Sequence, residues 1–217
     1  MGIWFEKILD SIYPKLKVCV CCLQKHDGGK ICDTCLSEIS FNDNFHKINI
    51  KGIEGTFATY YKGSIKELIY NFKVHKNFSS GEYLGEILKD FIVKNNFKID
   101  YLTYVPRDKS KIKLEGFDQS YFIVKFLGKH LNLKVIKLLE CKGKTLEQKK
   151  MKSSERKSNV KNKFFPLKCK LDLEGKEILI IDDVATTCST LEEVISVIKK
   201  TNPKTMVSVL TIAKTLI

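Results

Sequence analysis

Two adjacent acids that close an apolar run are the residues of this chain with the clearest chemical meaning. The segment Ile178–Thr190 has the sequence ILIIDDVATTCST, so Asp182 and Asp183 follow four aliphatic residues directly. An apolar run without polar alternation is typical of a strand buried on both faces. The amphipathic segment that follows predicts a helix, and the N-terminus of a helix that follows a loop favours a bound phosphate.

The side chains of this segment complement a sugar phosphate. Four hydroxyl groups follow the acids, on Thr186, Thr187, Ser189 and Thr190. The carboxylates suit the vicinal hydroxyls of a ribose, or a magnesium ion on a polyphosphate. The segment is not a Walker loop, because no Gly-Lys-Ser/Thr follows. The alternative, an ordinary Asp turn before a capped helix, explains the two acids and four hydroxyls less well.

Cysteines near the start of the chain predict a second site of a different kind. Their spacing is C-x2-C-x9-C-x2-C, with the thiols of Cys19, Cys22, Cys32 and Cys35. Four thiolates complete a closed, tetrahedral zinc site, and such a metal supplies folding energy to a short segment. Cys21 could take the place of its neighbour, His26 is an alternative ligand, and an iron–sulfur cluster is a lesser alternative. Cys141 and Cys169 are expected to be free thiols.

Composition indicates a globular protein that attracts anions. The chain has 217 residues, 43% of them hydrophobic, and a net charge of +13. Its basic residues are lysines apart from Arg107 and Arg156, so much of the charge is expected on a solvated surface that attracts phosphates or nucleic acid. No apolar run approaches the roughly 20 residues of a membrane span. Residues 1–16 predict an amphipathic helix without a cleavage site, and we expect a cytoplasmic protein.

Strand-like and helix-like segments alternate after residue 50. Strands are predicted at 55–62, 99–105, 134–139, 177–181 and 205–213. Helices are predicted at 64–73, 81–93, 119–131 and from about Ser189. This order predicts an α/β fold, a mostly parallel sheet with helices on both faces, whose ligands bind at the carboxyl ends of the strands. We expect residues 1–50 to hold the first helix and the zinc module, and residues 51–217 to form the α/β domain.

The acidic pair and its loop resemble the signature of type I phosphoribosyltransferases, which bind phosphoribosyl pyrophosphate (PRPP). With the four-cysteine module in front, the whole chain resembles the ComF family, phosphoribosyltransferase-like proteins of DNA-uptake competence. The stretch YKGSIKELIYNFK from Tyr61 to Lys73 agrees with that family. Other matching positions are Pro106, Gly116, Phe117, Gln119, Gln148, Arg156, Asn159 and Val160.

The resemblance implies a role for each part of the site. Asp182 and Asp183 would act as the catalytic pair and hold the ribose hydroxyls or magnesium. The 5′-phosphate would bind Ala185, Thr186, Thr187, Cys188, Ser189 and Thr190. Pyrophosphate would contact the basic loop PRDKSKIK through Arg107, Lys109 and Lys111, unless that loop is merely solvated. The polar segment 140–162, with Arg156, would close over PRPP as a hood.

Three positions depart from the family pattern. Cys188 stands where the family has a glycine. A glycine would permit an unusual dihedral or a close approach of the backbone. Glu115 and Asp118 replace an arginine and an asparagine beside the basic loop. Because these changes touch the expected site, three classes of function stay open. They are a PRPP-binding transferase-like protein, a nucleic-acid-binding protein with a degenerate site, and an adaptor. Expected partners are PRPP, single-stranded DNA, and a competence helicase or uptake-channel component.

Overall fold

The structure, a computed structural model, describes residues 17–142 and 163–216. Two predicted features, the helix at residues 1–16 and most of the hood with Arg156, lie outside these ranges. The strands are β1 (Lys17–Val18), β2 (Lys25–His26), β3 (Lys47–Ile50), β4 (Ile53–Tyr60), β5 (Tyr101–Tyr104), β6 (Lys134–Val135), β7 (Leu139–Cys141), β8 (Phe164–Pro166), β9 (Glu177–Ala185) and β10 (Met206–Lys214). The helices are α1 (Asp33–Ser37), α2 (Gly63–Lys73), α3 (Phe78–Lys94), α4 (Lys109–Glu115), α5 (Gln119–Leu131) and α6 (Ser189–Thr201).

A six-stranded sheet forms the centre of the molecule, in the order β3-β4-β10-β9-β5-β6. Strand β3 is antiparallel to β4, and every other pair of neighbouring strands in this sheet is parallel. The predicted α/β class with a mostly parallel sheet is therefore confirmed. The division of the chain at residue 50 stays a prediction, and β3, which precedes residue 50, pairs within this sheet.

The aliphatic side chains of β9 pack against helices on both faces of the sheet. Leu179 and Ile181 belong to one core cluster, which also contains residues of α2, α3 and α5. Ile178 and Ile180 belong to the other, which contains the apolar side of α6. Successive side chains of a strand alternate between faces, so an uninterrupted aliphatic run serves two cores. This arrangement fixes the end of β9, and with it the acidic pair, at the carboxyl edge of the sheet.

Three predicted elements differ from the structure. The strand predicted at 177–181 continues through both acids, so that β9 ends at Ala185. The strand predicted at 134–139 is split, because β6 pairs with β5 whereas β7 pairs antiparallel with β8 in a separate two-stranded sheet. The apolar pattern marked the strand but not the change of partner. The basic segment predicted as a loop contains helix α4. Asp108 caps it by accepting from the Ser110 N–H at 2.7 Å, and Gly116 ends it with a φ of 88°. These are ordinary helix-boundary residues.

The cysteine-rich segment packs onto α2 and α3. The Asn71 side chain donates to the Cys21 carbonyl and the Ser80 hydroxyl to the Val20 carbonyl, both at 2.7 Å. Ile31 and Ile39 share a core cluster with these helices. The module is thus joined to the main core through buried contacts. Within the two described ranges, no helix combines the length and apolar character that a membrane crossing requires.

Candidate functional site

A cavity of about 570 Å³ opens at the carboxyl ends of β5 and β9. One wall is formed by residues 182–191, and the facing wall by residues 105–108 with Ser110 and Lys111. The side chain of Ser120 and four residues of the β7–β8 region also line it: Cys141, Lys142, Lys163 and Phe164. The acidic pair, the hydroxyl-rich loop and Arg107 therefore border the same space. Of these lining residues, Cys141 and Lys142 belong to the segment predicted as a hood, whereas Ser120, Lys163 and Phe164 were not identified from the sequence.

The loop before α6 has the form of a phosphate cradle. Helix α6 has 13 residues, and its N-cap Cys188 lies in the left-handed region with a φ of 59°. The hydroxyl oxygens of Thr187 and Ser189 lie 3.1 Å apart beside this N-terminus. Ala185 is buried beneath the loop. The N-terminal N–H groups and partial positive charge of a helix favour an anion here.

Changing Cys188 to glycine is expected to strengthen phosphate binding. Left-handed backbone costs a non-glycine residue roughly 1–2 kcal/mol, and glycine's greater freedom in the unfolded chain offsets about half of that. We therefore expect a stabilisation of about 0.5–1 kcal/mol. Without a Cβ the backbone N–H groups can approach a phosphate more closely, so the affinity for ribose 5-phosphate should rise a few-fold in calorimetry. Cys188→Ala keeps the Cβ and is the matched control. Equal affinities for the glycine variant and wild type would contradict this expectation.

The two acids of the pair lie in different environments. Asp183 forms an ion pair with Lys73 through Oδ2, and its Oδ1 accepts the Val184 N–H at 2.6 Å. Asp182 accepts a long hydrogen bond, 3.5 Å from the Ser120 hydroxyl. Burial raises the pKa of Asp182 to about 8, with a further contribution from the negative charge of Asp183. The pair therefore combines an ion-paired carboxylate with a carboxyl group that holds its proton at neutral pH.

Lys73 is a site residue that the sequence analysis did not single out. It is the last residue of α2, and its ammonium group reaches the acidic pair. Its place at the end of the ComF-like stretch was the available signal. Because Lys73 and the Val184 N–H occupy both oxygens of Asp183, a magnesium ion would find few free protein oxygens here. The phosphates of a ligand would have to supply much of its coordination.

The wall opposite the phosphate cradle contains Arg107. Its guanidinium group donates to the carboxylate of Glu115 and to the side-chain oxygen of Gln119. Its backbone N–H donates to Asp118 at 3.2 Å. Lys111 lines the cavity, whereas Lys109, which was also predicted to contact pyrophosphate, is not among the lining residues. Glu115 and Asp118, two of the three residues that depart from the family pattern, thus bind the arginine that was expected to bind the ligand.

The cysteine module brings the thiols of Cys19, Cys22, Cys32 and Cys35 together, with all four sulfur atoms within 4.8 Å of one another. Such a cluster could bind a metal such as zinc, since four thiolates about 2.3 Å from one ion lie less than 4 Å apart. Burial raises the pKa of Cys19, but hydrogen bonds led by the Cys32 N–H outweigh it and lower the pKa to about 6. A lowered pKa favours Cys19 as a metal ligand, whereas burial and then the neighbouring thiols raise the pKa of Cys35.

Neither alternative ligand belongs to the cluster. The thiol of Cys21 is buried and points to the Ser64 carbonyl oxygen of α2 at 3.5 Å. His26 uses Nδ1 to accept the Gly28 N–H at 3.1 Å. Cys141 and Cys169 are free. The four-cysteine set predicted from the spacing is thus the one that the fold assembles.

The phosphoribosyl transferase domain family matches this chain over residues 130–215. The matched range contains β9, the cradle loop, α6 and β10. Together with the sheet, it shows that the chain has a phosphoribosyltransferase-like fold, preceded by the four-cysteine cluster. No curated protein matches the chain.

Solved phosphoribosyltransferases are similar to this chain at low identity. A hypoxanthine phosphoribosyltransferase from Staphylococcus aureus is 13% identical with a TM-score of 0.36, over 60% of this chain and 61% of that one. A purine phosphoribosyltransferase from Pyrococcus horikoshii is 18% identical with a TM-score of 0.37, over 61% and 71%. An adenine phosphoribosyltransferase from Thermoanaerobacter pseudethanolicus is 13% identical with a TM-score of 0.41, over 84% and 98%. The matched region spans about three fifths of the hypoxanthine enzyme.

Proposed function

We propose that this protein binds a phosphoribosyl ligand, PRPP or a related sugar phosphate, in the cavity at the carboxyl edge of its sheet. The observation that carries the proposal is the single space shared by Asp182, Asp183 and the loop of residues 185–190. The 5′-phosphate would lie at the N-terminus of α6, and the ribose hydroxyls would lie against the acids. The match to the phosphoribosyl transferase domain over residues 130–215 supports this assignment.

Such a site would promote pentosyl transfer by stabilising the charges that develop on the pyrophosphate and on the ribose. When bound with PRPP, magnesium would neutralise charge on the pyrophosphate as its bond to C1′ of the ribose breaks. The protein needs no nucleophile for an oxocarbenium-like transition state, only fixed charges and a closed cavity. Asp183 and the ionised form of Asp182 would orient the ribose and stabilise the positive charge that develops on it.

We further propose a ComF-like role in DNA uptake, in the cytoplasm. The four-cysteine module ahead of the phosphoribosyltransferase-like fold and the motif positions given above support it, and residues 1–50 would form the module's own domain. A net charge of +13 is compatible with single-stranded DNA, or with a DNA-bound helicase or channel component, as partner.

A titration with PRPP, with and without magnesium, tests the proposed function. We expect binding by wild type and a loss of at least about tenfold in affinity for Asp182→Asn and for Asp183→Asn. Asp90→Asn changes an exposed acid away from this cavity and should bind like wild type. If a single-stranded oligonucleotide binds with steep salt dependence and PRPP does not bind, the protein is a nucleic-acid-binding protein. No binding of either ligand would favour an adaptor.

A further inference from the structure

We propose that the cavity prefers a ligand with one phosphate, such as ribose 5-phosphate or a nucleoside 5′-monophosphate, over PRPP, because the carboxylate of Glu115 pairs with the guanidinium group of Arg107. This inference rests on the proposed function, and it narrows the ligand class. It follows from the charges on the two walls of the cavity, which differ in what they offer an anion.

The wall formed by the loop before α6 keeps its donors free for a phosphate. The hydroxyls of Thr187 and Ser189 contact each other at 3.1 Å, and neither binds a carboxylate in the described part of the chain. Burial raises the pKa of the Cys188 thiol, the positive charge of Lys214 at the end of β10 lowers it, and the negative charges of Glu192 and Asp182 raise it. The acid in the first turn of α6, Glu192, pairs with Lys51 at 3.3 Å. This wall therefore has the donors and the potential for one phosphate.

In the wall formed by the β5–α5 connection, Arg107 already donates to internal acceptors through Nη1 and its backbone N–H. The guanidinium group of Arg107 binds Glu115, and Gln119 binds both, donating to Glu115 at 2.9 Å. Gln119 is 1% exposed, so the arrangement is anchored in the core and is not a loose surface pair. The Arg107 N–H is bound to Asp118, which also caps α5 through the Tyr121 N–H at 3.1 Å.

The second cation of this wall, Lys111, also has an acid nearby. Lys111 lies near Asp108, whose pKa is lowered by hydrogen bonds from Ser110 and by the charge of Lys111. The two cations Arg107 and Lys111 and the two acids Asp108 and Glu115 leave this wall without net formal charge. A pyrophosphate group carries several negative charges and would have to compete with the Glu115 carboxylate for Arg107. A ligand whose only phosphate is the 5′-phosphate avoids that competition.

Calorimetry with three probes, ribose 5-phosphate, inorganic pyrophosphate and magnesium PRPP, tests this preference. Wild type is expected to bind ribose 5-phosphate at least as tightly as PRPP and to bind pyrophosphate poorly. Glu115→Gln removes the competing charge and should raise the affinity for PRPP and pyrophosphate by at least about tenfold. Its affinity for ribose 5-phosphate should change less than about twofold. Glu174→Gln, which alters the exposed pair with Lys204, is the matched control.

A double-mutant cycle tests whether the higher PRPP affinity of Glu115→Gln depends on Arg107. Arg107→Gln alone should leave PRPP affinity near the wild-type value, and in the Glu115→Gln background it should remove the gain. The proposal is overturned if wild type binds PRPP about tenfold more tightly than ribose 5-phosphate, or if Glu115→Gln leaves the ratio unchanged. Those results leave the proposed function intact. Binding of none of the three probes by any folded variant would refute both.

Discussion

Changing Cys32 to serine is expected to abolish tight zinc binding and to lower the melting temperature by about 5–10 °C. A serine hydroxyl stays protonated at neutral pH and is a poor replacement for a thiolate ligand. From residue 17, where the described part of the chain begins, to residue 37, the segment around the cluster contains the short strands β1 and β2 and the five-residue helix α1. Elements of this size cannot hold their shape without a further source of stability, which a structural metal supplies.

The loss of zinc should also destabilise the main core, because the cysteine module contributes buried residues to that core. Val20, Ile31 and Ile39 share a core cluster with α2 and α3, and the Asn71 and Ser80 side chains bind its backbone. Releasing the module would expose these groups. A loss of about 2–3 kcal/mol would correspond to the expected shift in melting temperature for a chain of this size. The shift should be reproduced in wild type by a strong chelator.

Cys21→Ser is the matched control for the zinc prediction. Cys21 is adjacent to Cys22, but its thiol contacts Ser64 and lies outside the cluster. This variant should keep one zinc per chain, measured by elemental analysis, even if the altered core packing costs some stability. Retention of zinc by Cys32→Ser, or its loss from Cys21→Ser, would show that the ligand set is wrong.

The sequence predicted those parts of the fold that depend on local pattern. The helix predicted at 119–131 has the bounds of α5, and the aliphatic run of β9 lies at the centre of the sheet. Periodicity and cap residues are properties of neighbouring positions, so the chain itself contains the signal. The cysteine spacing is a local pattern of the same kind, because each C-x2-C pair turns two thiols in one direction.

Contacts between distant segments could not be predicted in this way. The ion pair of Lys73 with Asp183, and the pairing of β7 with β8, depend on which elements the fold brings together. For Arg107 the sequence showed a basic residue near an expected anion site, and also showed Glu115 as a departure from the family pattern. Only the folded arrangement shows that Arg107 and Glu115 form an ion pair with each other. Charge counts along a chain therefore say little about which charges stay available to a ligand.

The pH dependence of stability is expected to change when Asp182 is replaced by asparagine. The pKa of Asp182 is raised from 3.8 to about 8 in the folded protein, chiefly by burial and then by Asp183. Between these values the folded state holds a proton that the unfolded state has released. The stability of wild type should therefore fall as pH rises from about 4 to about 8, relative to a variant without this group.

Asp182→Asn should consequently be more stable than wild type at pH 8, by about 2 kcal/mol after allowance for solvent screening, and equally stable near pH 4. Urea denaturation at pH 4.5, 6, 7 and 8 measures the difference, and Asp90→Asn provides an exposed acid as control. A difference that is independent of pH, or that grows toward acid pH, would contradict the raised pKa.

The same proton should be linked to ligand binding at the cavity. A magnesium-bearing phosphoribosyl ligand requires the ionised form of Asp182, so binding must release its proton below about pH 8. The affinity of wild type should then rise with pH by up to about tenfold per unit between pH 6 and 8. Asp182→Asn should lose this slope, although the titration of the ligand's own phosphates is common to both proteins. Equal slopes would mean that Asp182 does not meet the ligand as a carboxylate.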